Sequence, residues 1–430
     1  MKVLVIGSGG REHAICWKLS QNSDISKIYC APGNGGVALE NKCENIDIDV
    51  NDFENLVKFA KEKDVYLTVV GSEEPLAKGI VDYFTNFGLK IFGPNKDAAR
   101  IEASKAFCKE VMVAANIPTA FYKEFTNFDL AKDYVEKKGA PIVIKADGLA
   151  AGKGVTVAKT IDEAVNALKE IFIDKVFKEA GDKVVIEEFL KGEEASFLAF
   201  TDGETVIPMV SSQDHKPVFD NDEGPNTGGM GAYSPAPVMT DYIYKFSLEN
   251  IAYPLINELK KRGITYKGVI YAGLMIDGDS VKVLEFNCRL GDPETQPVLM
   301  RLNSDILEIF DACIEKRLDK IKIKWDRNPS VCVVIASGGY PKSYEKGYEI
   351  FGIEEAEKIE GVKVFHAGTK VENNKIVTNG GRVLGVTAKG DNLYKATNIA
   401  YNSVKKIYFK DMHYRADIAQ KALRRIQCQK

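Results

Sequence analysis

The stretch from Pro141 to Val155 restricts this chain more than any other. An apolar, β-branched run, Ile142 to Ile144, ends in Lys145 and is followed within ten residues by Gly148, Gly152, Lys153 and Gly154. A strand that delivers a lysine beside a glycine loop is a phosphate site in outline: glycines let backbone N–H groups converge on anionic oxygens, and lysines supply charge. A Walker A loop needs four residues between its glycines and a Ser or Thr after the lysine. Here three residues separate Gly148 from Gly152, and Gly154 follows Lys153. The pattern predicts a glycine flap joining two strands rather than a strand-to-helix cradle. The plainer alternative is a β-hairpin with surface lysines.

At 430 residues the chain exceeds a single core, and two to four domains of roughly 100 to 150 residues are expected. A formal net charge of -3 gives no long-range field that would draw nucleic acid or an anionic membrane, so any basic site is local and the ligands are small molecules. The eight cysteines form no Cys-x-x-Cys pair and no Cys/His cluster, which points away from zinc and from a disulfide framework. The N-terminus lacks a signal-peptide pattern, and no apolar run reaches the ~18 residues of a membrane span. The expectation is a cytoplasmic protein.

Residues 1 to 101 alternate strands (Val3 to Ile6, Ile28 to Cys30, Val65 to Val70, Lys90 to Phe92) with helical spacing near 11 to 21, 52 to 62 and 75 to 87. That rhythm implies a parallel, doubly wound sheet. Gly7-Ser8-Gly9-Gly10-Arg11-Glu12-His13 is a glycine turn feeding a helix N-terminus, where anions sit well. Glu12 stands where a dinucleotide fingerprint needs its third glycine, and Ala31 to Asn34 replace the ribose-binding acid, which disfavours a nicotinamide enzyme. Arg11 suits a terminal phosphate or a carboxylate, while His13 reads as structural. Gly71 to Leu76 follows a strand where α/β sheets place ligand loops. A linker helix with Lys105 and a hinge at Asn116 to Thr119 occupy 102–122.

A smaller lid unit is expected over 123–194, closing with the strand around Glu187, Glu188, Phe189 and Leu190 and with Glu194. Such a strand edge offers amides to an adenine, and Glu194 an acceptor to a ribose hydroxyl. Over 195–325 come Asp214-His215-Lys216 and the glycine-rich loop Gly224 to Pro235. A strand whose period of two then puts Glu285, Asn287 and Arg289 on one face. Carboxylate and amide oxygens side by side suit Mg²⁺ with substrate phosphates, and Arg289 could stabilise a transferring phosphoryl group. The alternative is a solvated polar face, which leaves the acidic turn Gly291-Asp292-Pro293-Glu294 unexplained. The last unit, 326–430, carries Gly338 to Pro341, a hairpin expected at Asn379-Gly380-Gly381 and no catalytic set.

Together the strings Gly9 to His13, Ala31 to Asn34, Ile142 to Val155, Glu187 to Ser196, Ser212 to Lys216, Gly224 to Pro237, Glu285 to Arg289 and Gly291 to Pro297 resemble the phosphoribosylamine–glycine ligases (glycinamide ribonucleotide synthetases) of the ATP-grasp superfamily. The resemblance implies an α/β and α+β multidomain fold: an N-terminal Rossmann-like domain, an ATP-grasp lid and body, and a C-terminal mixed α/β domain. It implies ATP between lid and body, with Lys105 and Lys145 on its phosphates, Glu187 to Leu190 at adenine and Glu194 at ribose. Glu285 and Asn287 would ligate Mg²⁺, with Mn²⁺ as the alternative ion, and Arg289 would act at the phosphoryl group. Asp214, Lys216, Asp292, Glu294, Asn34 and Asn226, Thr227, Gly228 and Gly229 would serve glycine and phosphoribosylamine, with Gly9, Gly10 and Arg11 at the ribose phosphate. A monomer or weak dimer is expected. Ser8, Ser72, Pro217 and Phe219 depart from the family pattern, the last two in a loop expected to touch substrate. A different ATP-grasp ligase or carboxylase, or a catalytically silent nucleotide binder, would share much of this pattern.

Overall fold

The computed structural model describes residues 1–149 and 154–428; Gly152 and Lys153 of the glycine flap lie outside them. The N-terminal strands are apolar on both faces because helices cover both. Cys43–Asn45, Lys27–Pro32, Lys2–Gly7, Leu67–Val70 and Ile91–Phe92 form a five-stranded sheet in that order, every pair parallel. Helices Gly10–Ser20 and Phe53–Glu62 fall where the spacing predicts. The expected helix at 75 to 87 is two, Glu73–Lys78 and Ile80–Asn86. Gly79, at φ +91 between them, takes the left-handed conformation that ends the first.

Helices Lys96–Ala103 and Lys105–Ala114 lead to an antiparallel sheet of Tyr122–Phe125, Val184–Glu188, Ile142–Ala146 and Val155–Ala158. Alternation decides its two faces. Ile142, Ile144, Val184 and Ile186 pack with Leu168 and Ile171 into a core separate from those of the rest of the chain. Val143, Lys145 and Glu187 therefore face the other way, into a cleft. Ile142–Ala146 and Val155–Ala158, on either side of the glycine stretch, pair antiparallel, an arrangement that the flap and the plain hairpin readings share.

The body is an antiparallel sheet of Val206–Pro208, Glu193–Thr201, Gly268–Asp277 and Ser280–Asn287, so Glu194 stands in the body rather than at the end of the lid. A further sheet runs Gln213–Asp214, Gly231–Ser234, Ser330–Ala336, Arg382–Lys389, Val362–His366. The boundary read at 325 cuts through it. The strands that carry Asp214 and end the glycine-rich loop hydrogen-bond into the C-terminal unit, a pairing that no local pattern signals.

The hairpin expected at Asn379-Gly380-Gly381 is also displaced. Thr369–Glu372 pairs with Lys375–Thr378 across Asn373 and Asn374, at φ +50 and +60, the two left-handed residues of a tight hairpin turn. The glycines instead allow close backbone approach: a Cβ on Gly380 would lie 2.8 Å from the Gly368 Cα.

Asn34 joins the N- and C-terminal units. Its amide donates to the carbonyls of Ser8, Gly9 and His366 (2.9, 3.3 and 2.8 Å), and its Oδ1 accepts from the Gly36 and Val37 amides at 3.0 Å. The side chain is buried and its polar atoms are engaged within the protein, so it holds this junction rather than reaching a ligand. His13 is structural as expected: its Nδ1 accepts from the His366 amide at 2.7 Å.

Candidate active site

A cleft of about 430 Å³ lies between lid and body. On its lid side, Glu187 sits between two lysines, Nζ of Lys109 3.0 Å from Oε2 and Nζ of Lys145 2.8 Å from Oε1. The Lys145 contact is an ion pair out of line for a hydrogen bond; Nζ donates to the Leu284 carbonyl at 3.1 Å. All three side chains are buried. Burial depresses Lys145, but Glu187 and then Glu285 outweigh it and hold its pKa above the ordinary value. For Lys109 burial prevails and the pKa is lowered. Lys109 was missed; its signal is the spacing of four from Lys105, which puts both on one helix face. Glu187, read as adenine-side, is instead the counter-charge of this pair.

Lys105 lies at the start of its helix, its Nζ donating to the Gly148 carbonyl at 3.4 Å. Gly154 lines the cleft, whereas Gly148 packs on Ala180, which a Cβ would meet at 2.7 Å. Val143, Val157, Leu190, Met275 and Phe286 give the cleft an apolar wall with Phe189 beside it, suited to a purine face. Glu188 pairs with Lys282 at 2.8 Å. Burial, with Asp214 and Glu285 adding and Lys216 opposing, raises the Glu194 pKa.

Glu285, Asn287 and Arg289 all line the cleft, although the strand ends at Asn287, before Arg289, and Phe286, of the opposite parity, lines it as well. Burial raises the Glu285 pKa, but Lys216, Lys145 and Lys105 outweigh it, so the carboxylate is held below its ordinary range. Arg289 is more engaged than expected. It donates to Glu73 (Nε, 3.2 Å), to Asn287 Oδ1 (Nη2, 3.2 Å) and to the Leu290 carbonyl (Nη1, 3.3 Å), with Glu102 2.8 Å from Nη2. Two carboxylates thus neutralise it, and the arginine orients the Asn287 oxygen. Glu102 was missed in the sequence. Glu73 opens the helix that follows Leu67–Val70, within the stretch Gly71 to Leu76 singled out in the sequence; burial raises it, but Arg289 and Arg11 bring it down to about 2.

Asp214 and Lys216 pair at 2.9 Å. Glu294 Oε1 accepts from Ser196 Oγ at 3.0 Å and from the Tyr271 hydroxyl, and burial with nearby Asp214 raises its pKa. Asn226, Thr227 and Gly228 line the cleft. Gly229, at φ +117, comes so close to Pro293 that a Cβ would lie 2.5 Å from its Cδ, so the loop closes on the Asp292 turn only with glycine there. Pro217 and Phe219 stand in a short strand paired with Glu223–Asn226, with Phe219 half-exposed against His413. Neither lines the cleft, although Lys216 and Asn226 to Gly228 on either side of them do.

The expected phosphate seat at Gly9, Gly10 and Arg11 is occupied by the protein itself. The Gly9 amide donates to Glu12 Oε2 at 2.6 Å and the Arg11 amide to Asp292 Oδ2 at 3.4 Å. A helix N-terminus favours an anion, and here two carboxylates supply it. The Arg11 guanidinium binds Glu12 at 2.7 Å and the Leu290 carbonyl at 2.9 Å, with Glu73 at 3.6 Å. A Cβ on Gly10 would meet Gln296 at 2.5 Å, and of the three only Arg11 lines the cleft. From the C-terminal unit, where no catalytic set is expected, Tyr340 and Arg382 line it too.

His215 points away from Asp214 and Lys216, as strand alternation requires. It is buried beside Tyr233, and neither ring nitrogen has a hydrogen-bond partner among the described residues. Burial, then the charge of Arg415, lowers its pKa from 6.5 to about 4. The unfolded chain therefore takes up this proton first, so the neutral ring's contribution to stability is full above pH 6.5 and falls as pH drops toward 4. Urea midpoints of His215→Leu should fall less over that interval than those of the native protein; parallel curves would refute the assignment.

A lid sheet over a body sheet, with Lys145 of one and Lys105 of the preceding helix facing carboxylate and amide oxygens of the other, defines an ATP-grasp enzyme. Models of the N domain, the ATP-grasp (A) domain and the C domain of phosphoribosylglycinamide synthetase match residues 1–102, 103–295 and 330–421. The chain belongs to the phosphoribosylglycinamide synthetase family. It is 53% identical to the phosphoribosylamine–glycine ligase of Vibrio parahaemolyticus over 99% of this chain and 100% of that one. To the Escherichia coli ligase it is 51% identical with the same coverage. The crystal structure of the Thermotoga maritima ligase, 32% identical, superposes with a TM-score of 0.83 over 97% of this chain and 100% of that one. The protein is thus an ATP-dependent ligase of the ATP-grasp class, a fold that works with a divalent cation. Glu285 and Asn287 fit such an ion: two hard oxygens from one strand face, with its remaining positions left to substrate phosphates.

Proposed function

We propose that the protein joins glycine to 5-phosphoribosylamine, converting ATP to ADP and phosphate and forming glycinamide ribonucleotide for purine synthesis. The observation that carries this reading is the cleft of a chain in this family, with Lys105 and the Glu187-bound Lys145 facing Glu285 and Asn287. A carboxylate is a poor acyl electrophile at neutral pH. A glycine carboxylate oxygen therefore attacks the γ-phosphorus, the bond to ADP breaks, and glycyl phosphate forms. The amine of phosphoribosylamine attacks the glycyl carbonyl, phosphate leaves with the C–O electron pair, and the amine proton is released as the amide forms.

Such a reaction needs positioning and charge stabilisation rather than a protein nucleophile. Lys105 and Lys145 meet the phosphates, and Glu187 fixes the Lys145 ammonium. The apolar wall takes adenine and Glu194 the ribose. Glu285 and Asn287 would hold Mg²⁺, or Mn²⁺, which when bound screens the charge of the transferring phosphoryl group. Arg289, which donates to Asn287 Oδ1, fixes the orientation of that side chain. Asp214, Lys216, Asp292 and the 226–229 loop position the two substrates. A lid with its own core can move as a unit and exclude water from glycyl phosphate. We place the enzyme in the cytoplasm as a monomer or weak dimer.

The test is ADP release with ATP and Mg²⁺, comparing glycine plus freshly generated phosphoribosylamine against each alone. ADP formed only with both, together with the amide, is expected. Bicarbonate- or formate-dependent ADP with glycine inert would assign another ligase, and ATP binding without turnover a silent binder.

A further inference from the structure

With the helix start at Gly9 to Arg11 filled by carboxylates, the anionic end of the ribosyl substrate needs another seat. Most cations of the cleft are spoken for. Arg11 faces Glu12 and Glu73, Arg289 faces Glu73 and Glu102, Lys145 faces Glu187, and Lys216 faces Asp214; Lys105 lies with the ATP-side lysines.

Arg382 differs. Its Nη1 donates to the carbonyls of Gly228 (2.7 Å), Gly229 (3.4 Å) and Asp292 (2.6 Å), which fixes the plane of the guanidinium. Nε and Nη2 make no hydrogen bond among the described residues, and the nearest carboxylate oxygen, Asp292 Oδ2, is 3.6 Å from Nη2. That carboxylate is itself turned to the Arg11 amide and to Gln296, 2.8 Å away. A fixed guanidinium with one open N–H edge is the geometry that binds an oxyanion bidentately.

Two glycine stretches that the reaction leaves unexplained build the surroundings. The Ser337 amide donates to the Gly381 carbonyl at 2.8 Å and its hydroxyl to the Gly380 carbonyl at 2.9 Å, clasping 337–341 to 379–382. A Cβ on Gly381 would lie 2.3 Å from the Tyr340 ring, so glycine there lets the ring reach the cleft. The Tyr340 oxygen accepts from the Gly228 amide at 3.2 Å, which leaves its own proton to donate.

Resting on the ligase reading above, we propose that the C-terminal unit binds the 5-phosphate of phosphoribosylamine through the Nε and Nη2 edge of Arg382 and the hydroxyl of Tyr340. The phosphate then bridges the C-terminal unit and the 226–229 loop, which places the amine end of the same substrate by the length of the ribose.

The experiment compares binding of the amide product, glycinamide ribonucleotide, with that of its phosphate-free riboside to the full-length native protein, Arg382→Met, Arg382→Lys and Tyr340→Phe, with ADP release measured in parallel. The native protein should prefer the ribonucleotide by at least about 100-fold, the size expected of charge-assisted hydrogen bonds from two donors. Arg382→Met should bring the ribonucleotide to within about 5-fold of the riboside, the share left to the Tyr340 hydroxyl, while riboside and ATP affinities hold. Arg382→Lys should recover part of the preference, and Tyr340→Phe should lose about 5-fold, one neutral-donor hydrogen bond's worth. A merely structural role would weaken ribonucleotide and riboside alike, and that result overturns the assignment. So does an undiminished preference in Arg382→Met alongside normal native turnover. A native protein that neither turns over with both substrates nor binds the ribonucleotide removes the ligase reading and this assignment with it.

Discussion

Glu285→Gln is expected to lower turnover by about 10²- to 10³-fold, the usual scale for one preorganised electrostatic contact to a transferring group. The substitution keeps the shape and one oxygen but removes the charge. Lys216, Lys145 and Lys105 hold that carboxylate ionised against its burial, so it is available as a hard, charged oxygen throughout the neutral range. Steady-state ADP release across a series of Mg²⁺ concentrations checks it. The half-saturating Mg²⁺ concentration should rise with the loss, while ATP binding measured without metal changes little. Turnover within about threefold of native, at an unchanged Mg²⁺ requirement, would remove Glu285 from the metal site.

Glu187→Ala should destabilise the protein by about 3–5 kcal/mol, the usual cost of deleting one partner from a buried ion pair. Glu187 is the counter-charge of both Lys109 and Lys145, and all three are buried. Burial already lowers the Lys109 pKa with the carboxylate in place, so without it Lys109 should shed its proton or draw in water. Adding Lys109→Met to Glu187→Ala should recover part of the loss, since one stranded charge goes with it. Urea unfolding of native, single and double variants measures both effects. A single-variant loss below about 1 kcal/mol, the level of an exposed pair, would show that the lysines find other counter-charges.

The resemblance carried the family, but the residues themselves explain which expectations held. Lys145, Glu285 and Asn287 were legible because a strand's period of two is a local rule; Arg289 lies past the end of that strand, and Phe286, of the opposite parity, lines the cleft as well. Lys109 was legible in principle from its spacing with Lys105. Asn34 and the Gly9 to Arg11 turn were read as ligand-facing because their residue types favour ligands, yet their donors are used within the protein. The Arg11 amide meets a carboxylate 281 positions away. The glycines at 379 to 381 look like a hairpin to any turn rule, whereas Asn373 and Asn374 make the turn.

The sequence by itself determined what short-range sterics and hydrophobic periodicity control: the parallel N-terminal sheet, the two strands about the glycine stretch, the faces of the lid sheet and the oxygen pair at Glu285 and Asn287. Only the tertiary structure decided which charges remain available. Arg289 and Arg382 are both arginines beside ligand-type residues, but the first is neutralised by Glu73 and Glu102 and the second keeps an open edge. Coulomb energy depends on separation in space and on burial, and the carboxylates that set both come from elements far along the chain. The same long-range pairing joins the strand of Asp214 to a sheet of the C-terminal unit, which is how a unit with no catalytic motif comes to line the cleft.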